Sequence, residues 1–207
     1  MADDEALSPA LRATCRALVV KYQAHAAHAE CVSRLCERLL STTRYFSGIQ
    51  REDWSPVLAA AYLLNIGALI DPEYHHRHGR YLVMHDALTD AWPASLRRDV
   101  GLLVLNHRKR NPRGLEALRR PDLKRILRLA AIVRLADVLD RAHHQTAVLE
   151  AVSPGSRHEP LTIHLSGVEL AGLEPHLTRK AAWGARVWRR DLELVCGADR
   201  IRIPQGG

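Results

Sequence analysis

The chain has 207 residues, 47% of them hydrophobic and 26% charged, with aromatics at only 5% and a single Phe. That length buries one substantial core built from Leu, Ala, Val and Ile, and no apolar run approaches the ~20 residues that span a bilayer. A net charge of +7 and a pI near 9.6 favour polyanionic partners such as nucleotides, polyphosphate or nucleic acid.

Helix signals begin at Ser8-Pro9, an N-cap followed by Pro at the first helical position, with Leu11, Cys15, Leu18 and Val19 on one face as far as Tyr22. A second helix is expected from Ala26 to Leu40, with Cys31, Val32, Leu35, Cys36, Leu39 and Leu40 as its apolar stripe. A third starts at Ser55-Pro56 and runs to Gly67. Three more follow over Tyr74–Met84, Pro93–His107 and Pro121–Leu139, the last being the most apolar and so the expected central helix.

After His144 the pattern changes. Thr146–Val152 and Leu161–Leu165, separated by Ser153-Pro154-Gly155, read as a strand hairpin. A helix from about Glu174 carries Trp183, Val187, Trp188 and Leu192, and Arg200–Ile203 alternates as a closing strand. Trp183 and Trp188 lie about 140° apart around that helix, which suits core packing for one and a partly exposed or dimer-facing position for the other. Cys15, Cys31, Cys36 and Cys196 lack CxxC spacing and read as reduced core thiols. With the acidic start Met1–Glu5, unlike a secretory signal, they point to the cytoplasm.

Histidines gather in the helical part: His25, His28, His75, His76, His78, His85, His107, His143 and His144, together with Asp71, Asp137 and Asp140. Imidazole nitrogen and carboxylate oxygen are what a divalent transition metal requires, and such a metal would polarise a phosphoryl oxygen and activate a water.

Five segments fall in a telling order. They are His28–Val32, Leu64-Asn65-Ile66-Gly67, His75–Leu82, His107-Arg108-Lys109, and Leu129 through Asp137 to His143. Together they resemble the C-terminal HD-type domain of the exopolyphosphatase and guanosine pentaphosphate phosphohydrolase (Ppx/GppA) family, over nearly the whole chain. The resemblance implies a mainly α protein, an HD-domain-like helical bundle over residues 1–144 with a small α/β appendage (hairpin, helix, strand) over 145–207. It also implies that the family's exopolyphosphatase site lies mainly in actin-like domains that this sequence lacks, while the helical domain helps to bind long polyphosphate and to form a dimer.

By the same resemblance His28 and Asp137 match the outer metal ligands of an HD domain, and His76 and His107 match positions that hold a second metal in some binuclear enzymes. Leu64 and Asn65 stand where the His-Asp pair would be. Leu cannot ligate, and Asn offers only a neutral carbonyl, so a Mn, Mg or Zn ion would lose one imidazole and one carboxylate. The basic residues Arg77, Arg80, Arg108, Lys109 and Arg141 are expected to hold phosphate, with Arg110, Arg113 and Arg134 nearby.

The expected function is therefore a stand-alone, non-catalytic or weakly active module that binds polyphosphate or a guanosine polyphosphate, as a homodimer or beside a partner phosphatase. The alternatives are a metal-dependent phosphohydrolase with an altered ligand set and a purely structural dimerisation domain. Nucleic acid is disfavoured, because no helix-turn-helix, zinc-finger or RNA-binding signature is present.

Overall fold

Ser8 starts the first helix as its chemistry dictates: its Oγ accepts the amide of Leu11 at 3.3 Å, and Pro9 takes the first helical position, where no amide is needed. The computed structural model describes residues 7–42, 44, 48–109, 111–156 and 159–206. Among these, α1 spans Pro9–Lys21, α2 Ala26–Leu40, α3 Trp54–Leu63, α4 His75–His85, α5 Ala94–Asn106, α6 Arg120–Leu139 and α7 Glu174–Trp188. The strands are β1 Val148–Ser153, β2 Leu161–Ser166, β3 Leu192–Cys196 and β4 Asp199–Ile203. The protein is thus mainly α with a small C-terminal sheet. No helix of the described residues is long and apolar enough to cross a membrane.

α6 is the central helix, buried from Leu129 through Leu139 without a break. α2, α3, α5 and α7 all pack on it, and one hydrophobic cluster runs through the seven helices and the sheet. Leu, Ala, Val and Ile build most of that cluster. Cys15, Cys31 and Cys36 are free thiols within it, and burial pushes the Cys15 thiol up to about 12.

α3 ends at Leu63, short of the expected Gly67, and residues 64–70 form turns. Gly67 is the reason for the tight packing there. A Cβ on it would sit 2.3 Å from the His75 carbonyl oxygen and 2.5 Å from the Gly79 amide, so only glycine lets this turn lie against α4. Asn65 is placed by that turn. α4 is prepared by Asp71, whose Oδ1 accepts the amides of Glu73 at 2.8 Å and Tyr74 at 3.1 Å.

The sheet runs β1-β2-β3-β4, antiparallel at both ends and parallel between β2 and β3. α7 is the crossover that joins the parallel pair. Leu192, assigned to the tail helix from its spacing, is instead the first residue of β3 and pairs with Leu161. α7 ends at Arg189, which adopts the left-handed conformation with φ of 54°. The stop therefore carries no glycine or proline, and the strand behind it went unseen. Trp183 is buried, and Trp188 is half-buried against the core.

Two arginines of α6 fasten neighbouring helices. Arg125 bridges buried Asp53, before α3, at 2.5 Å and buried Asp99 of α5 at 2.6 Å. Arg134 is fully buried. Its Nη1 donates to the carbonyls of Asn106 at 2.9 Å and Lys109 at 2.8 Å, and its guanidinium lies 4.4 Å from the Trp183 ring centre. Burial pushes this arginine down to about 10, still charged at neutral pH.

Arg125→Ala should lower stability by roughly 2 kcal/mol in urea unfolding, less than the about 3–5 kcal/mol of a fully buried pair because its guanidinium keeps some contact with water. Arg134→Met should cost a similar amount, about 2 kcal/mol, and speed amide exchange over residues 107–109, whose anchoring carbonyls lose their donor. A third expectation concerns acid. Burial raises the Asp86 carboxyl, but bonds from Lys21 and Tyr22 outweigh it and hold the group below its ordinary value of 3.8. Its contribution is present above pH 3.8 and is lost as pH falls through the folded-state value, so Asp86→Asn should flatten the acid limb of a pH-stability curve below that point.

Candidate functional site

His28 of α2 lies against the C-terminal end of α6. Its Nδ1 is 2.8 Å from Asp140 Oδ2, and its Nε2 is 3.4 Å from Asp137 Oδ1, an ion-pair distance longer than a good hydrogen bond. Burial would push this imidazole down, but the two carboxylates win and raise it above its usual value. His143 stacks on it with ring centres 4.1 Å apart, and His25 meets His143 edge-on at 5.2 Å.

Asp137 has a second partner from the far end of the chain. Lys180 of α7 donates from Nζ to Asp137 Oδ2, and both residues are 8% exposed. Burial alone would raise the Asp137 carboxyl. The Lys180 charge and the His28 contact override it and hold the group far below the carboxylate range. The pair is therefore a fixed carboxylate–ammonium contact.

His107 at the end of α5 is buried, and burial pushes it well down, so it is neutral. Its Nδ1 donates to the Val104 carbonyl at 2.7 Å, which leaves Nε2 as an acceptor 3.1 Å from Nε2 of His75. His75, lowered mainly by burial, then donates through Nε2 and accepts at Nδ1 from Arg108, 3.2 Å away. The Pro72 carbonyl, 2.7 Å from the same Nδ1, would take the proton in the other tautomer. His76 is fully buried, is pushed down to about 4 mainly by burial, and neither of its ring nitrogens meets a hydrogen-bond partner among the described residues.

A cleft of about 400 Å³ opens over these groups. Its walls carry Asn65, His75, His107 and Asp137, with the cations Arg108, Arg141, Arg179 and Lys180 around them. Four fixed positive charges thus face one carboxylate that is already paired.

The residues expected to hold metal are dispersed in their bonding. His28 and Asp137 touch, His107 is tied to His75, and His76 is packed beside both, with ring centres 6.0 and 6.5 Å away. Leu64 is 1% exposed in the core. Among the described residues no three His, Cys, Asp or Glu side chains converge as a metal would require. A divalent cation needs oxygen or nitrogen lone pairs free to face it. Here an ammonium occupies one oxygen of Asp137, and the Nε2 lone pair of His107 points at His75. The donor set does not fit such an ion.

Of the residues expected to hold phosphate, Arg108 and Arg141 line the cleft. Arg77 and Lys109 gather instead at the exposed Tyr74 ring, 5.1 and 6.0 Å from its centre. Arg80 turns aside to lie along Gly114 and Gly101, Arg113 is engaged through its backbone with the Asn106 side chain, and Arg134 is interior. Arg110 lies outside the described residues. Arg179, Lys180 and the edge-on His25–His143 pair were not foreseen in this role. For Arg179 and Lys180 the signal was a basic dipeptide within a helix, and its meaning depends on how α7 lies on α6.

No curated protein matches the chain. The family model for the Ppx/GppA phosphatase, domain III, matches residues 11–173, from α1 to the turn before α7. The match takes in every segment that carries the resemblance, along with Arg108, Asp137 and Arg141, and leaves Arg179 and Lys180 beyond its end. With most of its length so matched, the chain belongs to the Ppx/GppA phosphatase family and corresponds to that family's domain III.

Proposed function

We propose that the cleft binds a phosphate chain, either polyphosphate or the polyphosphate tail of a guanosine nucleotide, and does so without hydrolysing it. The observation that carries this reading is the charge balance: Arg108, Arg141, Arg179 and Lys180 surround a cleft whose one carboxylate, Asp137, is already neutralised. Guanidinium groups suit bidentate contacts with phosphate oxygens, and an ammonium adds a point charge with several donors. Membership of a family of polyphosphate and guanosine polyphosphate phosphatases supports the same class of ligand.

Hydrolysis would need an activated water. Of the imidazoles lining the cleft, His75 and His107 are bonded to each other, His25 caps α2 and His143 stacks on His28, and the donors for a metal are incomplete. In this reading the 1–144 body supplies Arg108 and Arg141 while the 145–207 unit supplies Arg179 and Lys180, so the ligand site lies where the two meet. The reduced thiols favour a cytoplasmic setting, with a second copy or a separate phosphatase as the partner that the bound chain would serve.

Calorimetric titration with tripolyphosphate and with long-chain polyphosphate tests this. Binding should weaken steeply as salt rises, and Arg108→Glu/Arg141→Glu should weaken it by about 100-fold, the loss of two charge-assisted contacts of about 1.5 kcal/mol each. Phosphate release from polyphosphate or nucleotide on adding Mn²⁺ would instead favour a metal-dependent phosphohydrolase with an altered ligand set, and binding indifferent to the double substitution would remove the cleft from consideration.

A further inference from the structure

We propose that Lys180 is a built-in cation standing in for the divalent metal of this cleft, letting the site hold a phosphate chain without metal and shutting metal ions out. Its ligand half rests on the phosphate-binding reading above; the exclusion of metal stands independently of it.

Asp137 is a carboxylate buried among His28 of α2, His75 of α4 and His107 at the end of α5. An uncompensated charge at such a depth is expensive, so something positive must face it. Asn65, at the cleft wall, is neutral and adds no second carboxylate. A divalent ion there would therefore remain under-neutralised, whereas one ammonium balances one carboxylate. Lys180 meets that requirement, bonded to Asp137 Oδ2 and buried to the same extent.

Its position is also fixed from behind. Arg134, one turn before Asp137 on α6, donates from Nε to the Lys180 carbonyl at 3.4 Å, so α6 grips residue 180 by its backbone and by its side-chain tip. An ammonium has three donors, and Asp137 uses one of them. Lys180 also forms part of the cleft wall beside Arg141 and Arg179, where its remaining donors suit phosphate oxygens. A metal approaching Asp137 would meet this ammonium first, and like charges at contact distance repel.

The test uses the full chain as wild type, Asn65→Asp and Asn65→Asp/Lys180→Met, with metal analysis and Mn²⁺ titration. Wild type and Asn65→Asp should take up no stoichiometric Mn²⁺, while Asn65→Asp/Lys180→Met gains one ion per chain. In parallel, tripolyphosphate should bind wild type equally well with EDTA or with Mn²⁺. Lys180→Met should bind it about tenfold more weakly, and Mn²⁺ should recover the affinity only in the double variant.

Stoichiometric Mn²⁺ on wild type, equal Mn²⁺ uptake with and without Lys180, or tripolyphosphate binding abolished by EDTA would each overturn the proposal. The wild-type titrations need no substitution, so they decide even where a variant fails to fold. If wild type binds no tripolyphosphate under any condition, the phosphate reading falls, and Mn²⁺ uptake alone judges Lys180.

Discussion

The contact between Asp137 and Lys180 ties α6 to α7, two helices far apart in the chain. Taking two charges out of water costs about as much as their attraction returns, so the pair adds little net stability. What it supplies is register. Arg134 and Asp137 lie one turn apart on α6 and hold opposite ends of the same residue on α7. Arg134 at the same time holds the carbonyls of Asn106 and Lys109 at the end of α5. One helix thus anchors both the end of α5 next to Arg108 and the α7 residue next to Arg179, and both arginines line the cleft. A guanidinium at the C-terminal end of α5 also meets the negative end of that helix's dipole, which offsets part of the cost of burying it.

The site sorts its imidazoles by environment. His28, between two carboxylates, is raised, while His75, His76 and His107 are lowered by burial and stay neutral. The same residue type therefore does two jobs within one cluster. The His28 ring holds a proton more readily beside the α6 carboxylates, and the lowered rings between α4 and α5 avoid adding more positive charge to an interior that already holds Arg134 and Lys180. Only the rim, where Arg108, Arg141 and Arg179 stand, keeps charge in contact with water.

Much of this was legible in the chain because the local rules were strong. Ser8-Pro9 and the apolar stripes located α1 and α2, and the uninterrupted run from Leu129 identified α6 as the central helix. Local rules fail where the chain lacks punctuation. Arg189 turns the chain in a left-handed conformation that glycine usually supplies, so Leu192 seemed to continue a helix. Gly67 looked like a helix stop but serves close backbone packing instead. Asn65 drew attention to a lost charge, while the charge facing Asp137 comes from α7. No spacing rule joins Lys180 to Asp137, because their contact exists only once α7 is laid on α6.

The parallel pairing of β2 with β3 has a consequence for how a ligand reaches the cleft. α7 leaves one strand of the sheet and returns to its neighbour, so both of its ends are anchored to a single ladder. A helix held in this way cannot swing outward like a hinged lid without breaking strand pairing. The cleft, whose lining also includes Gln23, Ala24 and Ala68, is already open, so entry needs no such movement. For the phosphate chain proposed as its ligand, exchange would then follow side-chain rotamer changes rather than domain closure.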